Sequence, residues 1–330
     1  MTFSALKMAF ELDDFVGGFS ALMLGDALGA PYEFKADSQR RYDGEDPLAL
    51  PLRIYNRYRH DFRVGVPGQI TDDSEMTMAV LRALVSDKKD YRTSLLTQFL
   101  DWANSGSMLG RNTRSLFKGV KTIRGYEGRA SKSDFKSESN GTLMRALPYV
   151  FLQEKFSREK SLMDQNLSNR NEMTQKVNAA YIALVRGVKA KKVSPSKARG
   201  FVEDFGLSLE DYPLDASFRG KSKGWVVYPL VYLVECLEKY PLKTASLKKI
   251  AEEVINFHRG CDSDTVLAIV FGAYGVWLGY EKLSCYQWFR ENFQKVLDAD
   301  TEEEGFPRPE RYWASTFFDE LPEMWKKLNK

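Results

Sequence analysis

The chain has 330 residues, of which 43% are hydrophobic and 28% charged, and its formal net charge is +3. These values are typical of a soluble globular protein with ample material for a core, and the charge is too small to indicate nucleic-acid binding by itself. The first residues contain no basic and apolar leader with a small-residue cleavage site, so we expect no secretory signal.

Helical periodicity dominates the chain, with apolar residues recurring at i, i+3 and i+4. The predicted helices are 15–30, 75–85, 93–102, 143–151, 174–188, 228–239, 245–256 and 264–280. The segment 52–58 comes nearest to the alternation of a strand, and no internal repeat or interdomain linker is evident. The sequence therefore predicts an all-α fold in a single domain over residues 1–330.

Gly, Pro, Ser and charged residues predict loops at 35–50, 60–68, 122–139 and 207–223. The segment 122–139 is either a mobile flap over an anionic ligand or an ordinary loop. The basic segment 189–199 contacts phosphates or is a solvated loop, and we favour the loop. The longest apolar run, 266–280, is shorter than the ~20 residues of a spanning helix and predicts a buried core helix rather than a membrane segment.

Cysteine and histidine usage bears on location and metal type. Cys236, Cys261 and Cys285 are odd in number and widely spaced, a pattern typical of reduced thiols in a cytoplasmic protein. His60 and His258 are the only histidines, and there is no cysteine pair, so a zinc site is not expected.

The stretch 68–76, GQITDDSEM, places two adjacent carboxylates before an apolar run. Asp72 with Glu75 three positions later fits a capping box at a helix start. That interpretation is favoured for the stretch alone, but it gives no task to Thr71 or Asp73. The competing interpretation is a metal site.

A second acidic cluster lies in 258–265, HRGCDSDT, again at the start of a long apolar helix. Two such clusters facing each other would supply six oxygen ligands, a set that suits Mg²⁺, Mn²⁺ or Ca²⁺ better than zinc. The six residues are Thr71, Asp72, Asp73, Asp262, Asp264 and Thr265.

Two further motifs combine glycine with polar residues. In 25–33, GDALGAPYE, glycines allow close helix packing and Glu33 follows a Pro turn, where a carboxylate is usually solvated. In 139–145, SNGTLMR, Asn140 is a candidate helix N-cap, and the backbone N–H groups of this turn could equally hold a ligand oxygen.

Together with GRNTR (110–114) and GWVVY (224–228), these motifs resemble, in order and separation, those of the ADP-ribosylglycohydrolase family over residues 15–279. The resemblance implies an all-α, orthogonally packed helical bundle around a central cleft that holds two divalent cations, usually Mg²⁺, with Mn²⁺ as an alternative. It implies that the six oxygen donors above are the metal ligands.

The same resemblance implies roles for further residues. Glu33 matches a family glutamate near the metals and the scissile bond, and with Asp73 and Asp264 it forms the predicted catalytic set. The predicted substrate-binding residues are Ser139, Asn140, Gly141, Asn169, Gly224 and Trp225. The chain departs from many relatives at three positions: Ile70 replaces a tryptophan, Cys261 a glycine and Asn169 a histidine. Some bacterial members also carry an acid where this chain has Met108. If that acid serves arginine-linked substrates, its replacement argues against that linkage here.

The function implied is Mg²⁺-dependent hydrolysis of the glycosidic bond between ADP-ribose and an acceptor, with a protein side chain as the first expectation and ADP-ribose as product. Small ADP-ribosylated molecules are an alternative substrate, and nucleic acid is expected only as an ADP-ribosylated substrate. A second alternative is a catalytically silent ADP-ribose-binding or structural relative. We expect a cytoplasmic monomer, and the general acid is not assigned.

Overall fold

The structure is a computed structural model that describes residues 10–33, 46–50, 53–56, 61–86, 90–105, 108–212, 224–257, 261–300 and 307–330. Helices make up most of it, so the all-α prediction is confirmed. In chain order the α-helices are α1 (Leu12–Gly29), α2 (Asp72–Leu84), α3 (Tyr91–Asn104), α4 (Arg111–Phe117), α5 (Ile123–Ala130), α6 (Leu147–Val150), α7 (Glu154–Ser168), α8 (Glu172–Lys189), α9 (Ala198–Glu203), α10 (Val227–Lys239), α11 (Ala245–Phe257), α12 (Ser263–Leu278), α13 (Tyr280–Cys285), α14 (Gln287–Ala299) and α15 (Ala314–Leu328).

Two short strands, β1 (Arg53–Asn56) and β2 (Asp61–Val64), pair antiparallel. β1 lies inside the segment 52–58 that showed strand-like alternation, whereas β2 lies inside the predicted loop 60–68. A two-stranded sheet is too small to build a core. The helices therefore carry the fold.

Helices α1 and α12 pack antiparallel at the centre, at a separation that requires glycine. A Cβ on Gly25 would lie 2.4 Å from the carbonyl oxygen of Leu267, and one on Gly29 would lie 2.4 Å from the backbone nitrogen of Asp264. Side-chain carbons do not approach backbone atoms this closely, so only glycine permits the contact. The C-terminal end of α1 thus meets the N-terminal end of α12.

Both central helices are buried along nearly their whole length. The predicted core helix 264–280 corresponds to α12, which ends at Leu278 because Gly279 turns the chain with a φ of +80°. Among the helices that the structure describes, none combines the length and the hydropathy needed to cross a membrane.

Two sequence predictions need correction. The predicted helix 143–151 is reduced to α6 because Pro148, in its first turn, lacks the N–H that an earlier start would require. The predicted loop 122–139 contains α5, whose first turn is capped when the hydroxyl of Thr122 accepts a 3.1 Å hydrogen bond from the Gly125 amide. In the basic segment 189–199, Lys189 pairs with Asp14, which agrees with the preference for a loop over a phosphate contact.

Candidate metal centre

The first acidic cluster begins α2, but not as a capping box. Thr71 occupies the N-cap position without a side-chain cap bond, and Asp72 is already inside the helix. Glu75 turns away from the helix start, because its Oε2 accepts a 2.7 Å hydrogen bond from Trp102 Nε1. The capping-box interpretation is therefore wrong, because the N-cap residue is Thr71 rather than Asp72 and because the Glu75 side chain bonds Trp102.

A carboxylate from another helix caps α2. Asp26, buried in α1, accepts hydrogen bonds from the backbone N–H groups of Thr71 (2.9 Å) and Ser74 (3.1 Å) and from the hydroxyls of both (2.7 and 2.5 Å). Burial raises the pKa of Asp26, and these four hydrogen bonds oppose the rise. Asp26 was missed from the sequence, where its only signal is its place inside GDALG.

The structure brings the two acidic clusters together. One carboxylate oxygen from each of Asp26, Asp73 and Asp264 lies within 4.8 Å of the others, and the same holds for Glu33, Asp262 and Asp264. Asp264 belongs to both groups and links them. Glu33 reaches this position because it follows the short 3₁₀ helix Ala30–Tyr32, which continues from the end of α1 that the glycine contact sets against α12.

Threonine and asparagine side chains orient these carboxylates. The hydroxyl of Thr71 donates to Asp73 Oδ2 at 3.2 Å, and the hydroxyl of Thr265 also hydrogen-bonds Asp73. Asn140 Nδ2 donates to Asp262 Oδ2 at 2.9 Å. Asn140 is therefore not a helix N-cap as proposed. Ser139 holds the N-cap position of the short 3₁₀ helix Asn140–Thr142, and the side-chain amide of Asn140 faces the acidic cluster.

Burial and mutual repulsion raise the pKa of the clustered carboxyls. For Asp73 the largest cause is burial, followed by the charge of Asp264. Burial likewise holds the pKa of Asp262 and of Asp264 well above the ordinary value, with Glu33 the next cause for Asp262 and Asp262 the next for Asp264. Several buried like charges at this spacing call for a compensating positive charge.

Asp72 lies at the edge of this cluster and keeps some contact with solvent. Its pKa is nevertheless raised to about 7, first by desolvation of the carboxylate and then by the charge of Glu75. A hydrogen bond from the Gly110 backbone amide opposes the rise. The GRNTR motif therefore contacts the acidic cluster through its first residue.

The donor set fits a hard divalent cation. Asp73 Oδ1 is buried and has no hydrogen-bond partner among the described residues, although buried carboxylate oxygens are normally satisfied. The surrounding donors are carboxylate and hydroxyl oxygens, which Mg²⁺, Mn²⁺ and Ca²⁺ prefer. The two histidines, His60 and His258, lie outside the described residues.

The predicted substrate-binding residues form one wall beside the cluster. The backbone N–H of Asn140 donates to the carbonyl oxygen of Gly224 at 2.9 Å, and Ser139 pairs with Trp225 in a β-bridge. A Cβ on Gly224 would lie 2.8 Å from Asp262 Oδ2, so glycine lets this backbone approach the carboxylates. Gly141 follows in the same turn, half-buried.

The Asn169 side chain hydrogen-bonds this wall on the side away from the acidic cluster. Its side-chain nitrogen donates to the carbonyl and hydroxyl oxygens of Ser139 at 3.3 and 3.1 Å and to the Ser137 carbonyl oxygen at 2.8 Å. Its side-chain oxygen accepts from Asn112 Nδ2 at 3.2 Å. Asn169 is buried, so its side chain supports the Ser139 turn rather than facing the cleft.

The arrangement can be compared with known proteins. The sequence model described as ADP-ribosylglycohydrolase matches residues 8–309. The chain belongs to the ADP-ribosylglycohydrolase family. The resemblance seen in the ordered motifs is thereby confirmed, and membership places the chain in a family of glycosyl hydrolases that act on ADP-ribose linkages.

Two known proteins are similar to this chain. The ADP-ribosyl-[dinitrogen reductase] glycohydrolase of Rhodospirillum rubrum is 30% identical over 143 residues, which cover 41% of this chain and 43% of the relative. The matched stretch thus spans less than half of that relative. A solved structure entitled ADP-ribosylglycohydrolase-related protein complex shares the fold with a TM-score of 0.58 at 18% identity, covering 86% of this chain and 96% of the other.

Proposed function

We propose that the protein is a Mg²⁺-dependent hydrolase that cleaves the glycosidic bond between ADP-ribose and a modified acceptor, with a protein side chain as the first candidate. One observation carries the proposal. In a member of this family, buried carboxylates from α1, α2 and α12 converge, and Asp73 Oδ1 is buried without a hydrogen-bond partner among the described residues.

The residues that would hold two divalent cations, Mg²⁺ with Mn²⁺ as a substitute, are Thr71, Asp72, Asp73, Asp262, Asp264 and Thr265. Bound there, the cations would supply Lewis-acid chemistry for the ribose hydroxyls and for a water molecule. Each threonine hydroxyl already bonds Asp73, which fixes the rotamers of the donors. Such oriented donors need little rearrangement on binding.

Hydrolysis at the anomeric carbon needs one group to take a proton from water and another to assist the leaving group. Glu33, Asp73 and Asp264 are the proposed catalytic carboxylates. Glu33 is half-buried at the end of the 3₁₀ helix Ala30–Tyr32, close to Asp262 and Asp264 but outside α2 and α12. That position suits a carboxylate that exchanges a proton with substrate or water.

The wall beside the cluster would hold the nucleotide. Backbone groups of Ser139, Asn140 and Gly141 line the turn, and Gly224 and Trp225 lie across from them. The Trp225 ring is half-buried, and its Nε1 donates a 2.7 Å hydrogen bond to Glu138 Oε2, which fixes the ring for stacking on an adenine. Asn169 supports this wall from behind.

The remaining proposals concern the setting of the reaction. ADP-ribosylated protein is the proposed substrate class, with small ADP-ribosylated molecules and modified nucleic acid as the other arms of the test. We also propose one domain over residues 1–330, acting as a monomer. A cytoplasmic location accords with the buried Cys236 and the exposed Cys285, which are free thiols.

The test measures release of ADP-ribose from serine-linked and arginine-linked proteins, modified nucleic acid and small conjugates, with Mg²⁺ and with chelator. Asp264→Asn should lower release by ~10²-fold or more, since residues that only orient metal ligands already cost 10–100-fold. Asp101→Asn is the matched control, because Asp101 pairs with Arg311 on the surface.

Release from one substrate class that depends on Mg²⁺ and on Asp264 would identify the acceptor. Binding of ADP-ribose without release from any substrate would replace the enzyme proposal with that of a silent ADP-ribose-binding relative. Release that persists in chelator would remove the metal from the proposal.

A further inference from the structure

The Arg308 side chain contacts the residues on both sides of the acidic turn that begins α2. Arg308 Nη2 donates a 2.8 Å hydrogen bond to the carbonyl oxygen of Ile70, the residue before Thr71. Arg308 Nη1 lies 2.9 Å from Glu75 Oε1. Glu75 lies in the first turn of α2, two residues after Asp73. The Arg308 side chain is 3% exposed, so these contacts form inside the protein.

The guanidinium is balanced by two buried carboxylates. Arg308 Nε lies 3.2 Å from Asp300 Oδ1, and the other oxygen of Asp300 accepts a 3.0 Å hydrogen bond from the Ala314 amide. The Nη1 and Nε contacts are charge pairs whose N–H groups are not aligned for hydrogen bonding, whereas the bond to Ile70 is directed. A buried cation of this kind must be paired.

The backbone around Arg308 is stiff. Pro307 and Pro309 flank it, and proline fixes φ near −65° and restricts the residue before it. The short 3₁₀ helix Glu310–Tyr312 and α15 follow directly. The guanidinium is therefore delivered from a rigid support rather than from a mobile tail.

We propose that Arg308 is a positioning residue that holds the 70–73 turn in the geometry required for cation binding. This inference rests on the proposed function, because it assigns the turn to the metal centre. Glu75 shares the first turn of α2 with Asp72 and Asp73, so an unbalanced charge on Glu75 would repel them. Arg308 balances Glu75, anchors the Ile70 carbonyl and leaves the two aspartates available to a cation.

The chain offers a matched control on the same helix. Arg82, near the C-terminal end of α2, also pairs with the C-terminal part of the chain, through a 2.8 Å contact between its Nη2 and Glu320 Oε2 in α15. Loss of this pair should loosen the same two segments without touching the acidic turn. Arg82→Met therefore reports the purely structural effect of losing an arginine between α2 and the C-terminal segment.

The experiment compares wild type, Arg308→Met, Arg308→Lys and Arg82→Met in two assays. One is the Mg²⁺ concentration at half of the thermal-shift response. The other is hydrogen exchange, without metal, in peptides covering 69–76, where the Thr71 and Ser74 amides donate to Asp26. Arg308→Met should raise the Mg²⁺ midpoint by about tenfold or more and speed this exchange.

Arg308→Lys keeps the charge but loses the forked donors, so it should fall between wild type and Arg308→Met. Arg82→Met should change neither readout. If Arg308→Met does not fold, Arg308→Lys carries the comparison. If Mg²⁺ does not shift the Tm of the wild type while hydrogen exchange in 69–76 is still faster in the Arg308 variants, the metal proposal is refuted and the positioning role of Arg308 is kept. Wild-type midpoints and exchange in folded Arg308 variants would overturn the inference.

Discussion

Gly29→Ala tests whether close contact between α1 and α12 builds the proposed metal centre. The added Cβ would lie 2.4 Å from both the Asp264 nitrogen and the Ser263 carbonyl oxygen, against an ordinary contact of at least 3.4 Å. These are backbone atoms and cannot rotate aside, so the helix ends must separate by about 1 Å. We therefore expect the carboxylates of Asp262 and Asp264 to move away from Asp73.

The stability cost follows from the same geometry. Overpacking of this kind costs about 1–3 kcal/mol. An unfolding entropy of ~2.1 cal/mol/K per residue over 330 residues is about 0.7 kcal/mol/K, so the Tm should fall by about 1.5–4 °C. The Mg²⁺ midpoint should rise as well, because the two halves of the ligand set separate.

The assay is a thermal melt of the metal-free protein followed by a Mg²⁺ titration. Gly128→Ala is the control, since a Cβ at Gly128 would meet nothing within 4 Å and alanine favours the helix. A Gly29→Ala protein with wild-type Tm and wild-type Mg²⁺ midpoint would refute the reasoning. A loss of stability with an unchanged midpoint would separate the packing argument from the metal argument.

Three further predictions address the site. Asp264→Asn should raise the Tm of the metal-free protein, because it removes an acidic group whose ionisation is opposed by burial and by Asp262. The same change should abolish the Mg²⁺ thermal shift, and a lower metal-free Tm would contradict this reasoning. Because the folded-state pKa of Asp72 is raised from 3.8 to about 7, the folded protein binds more protons than the unfolded one between these values, and metal-free stability should fall as pH rises through that window. Melts in chelator at pH 5 and pH 7.5 check the sign, and the Mg²⁺ shift should be larger at pH 7.5 because the cation displaces those protons. Trp225→Ala should raise KM for an ADP-ribosylated substrate by about fivefold or more with kcat little changed, whereas Trp225→Phe should keep most of the stacking; equal KM values in both variants and wild type would remove the ring from the substrate site.

The sequence was most informative where a pattern is local. Helical spacing located α2 and α12 to within a few residues, and the acidic clusters of both lie where the helix starts were predicted. The long apolar run was correctly interpreted as a core helix because its length alone excluded a spanning segment.

Longer-range relations could not be read from spacing. The capping role of Asp26 depends on Thr71 and Ser74, which lie 45 and 48 positions later in another helix. Two long helices were also missed: α7 carries mostly polar residues, and α15 contains Pro322, which argues against a helix. Tertiary packing stabilises such helices, so local propensity underestimates them.

The arrangement of α1, α2 and α12 also bears on when the site can form during synthesis. The ribosome makes Asp26 and the Thr71–Asp73 turn early, and a long stretch of chain must follow before Asp262 and Asp264 appear. A nascent chain that ends before α12 has only half of the ligand set and no glycine contact to hold it. Cation binding at the proposed centre would therefore report that synthesis has passed the start of α12 and that α1 and α12 have packed, and a product truncated before α12 would lack the proposed activity and the added stability together.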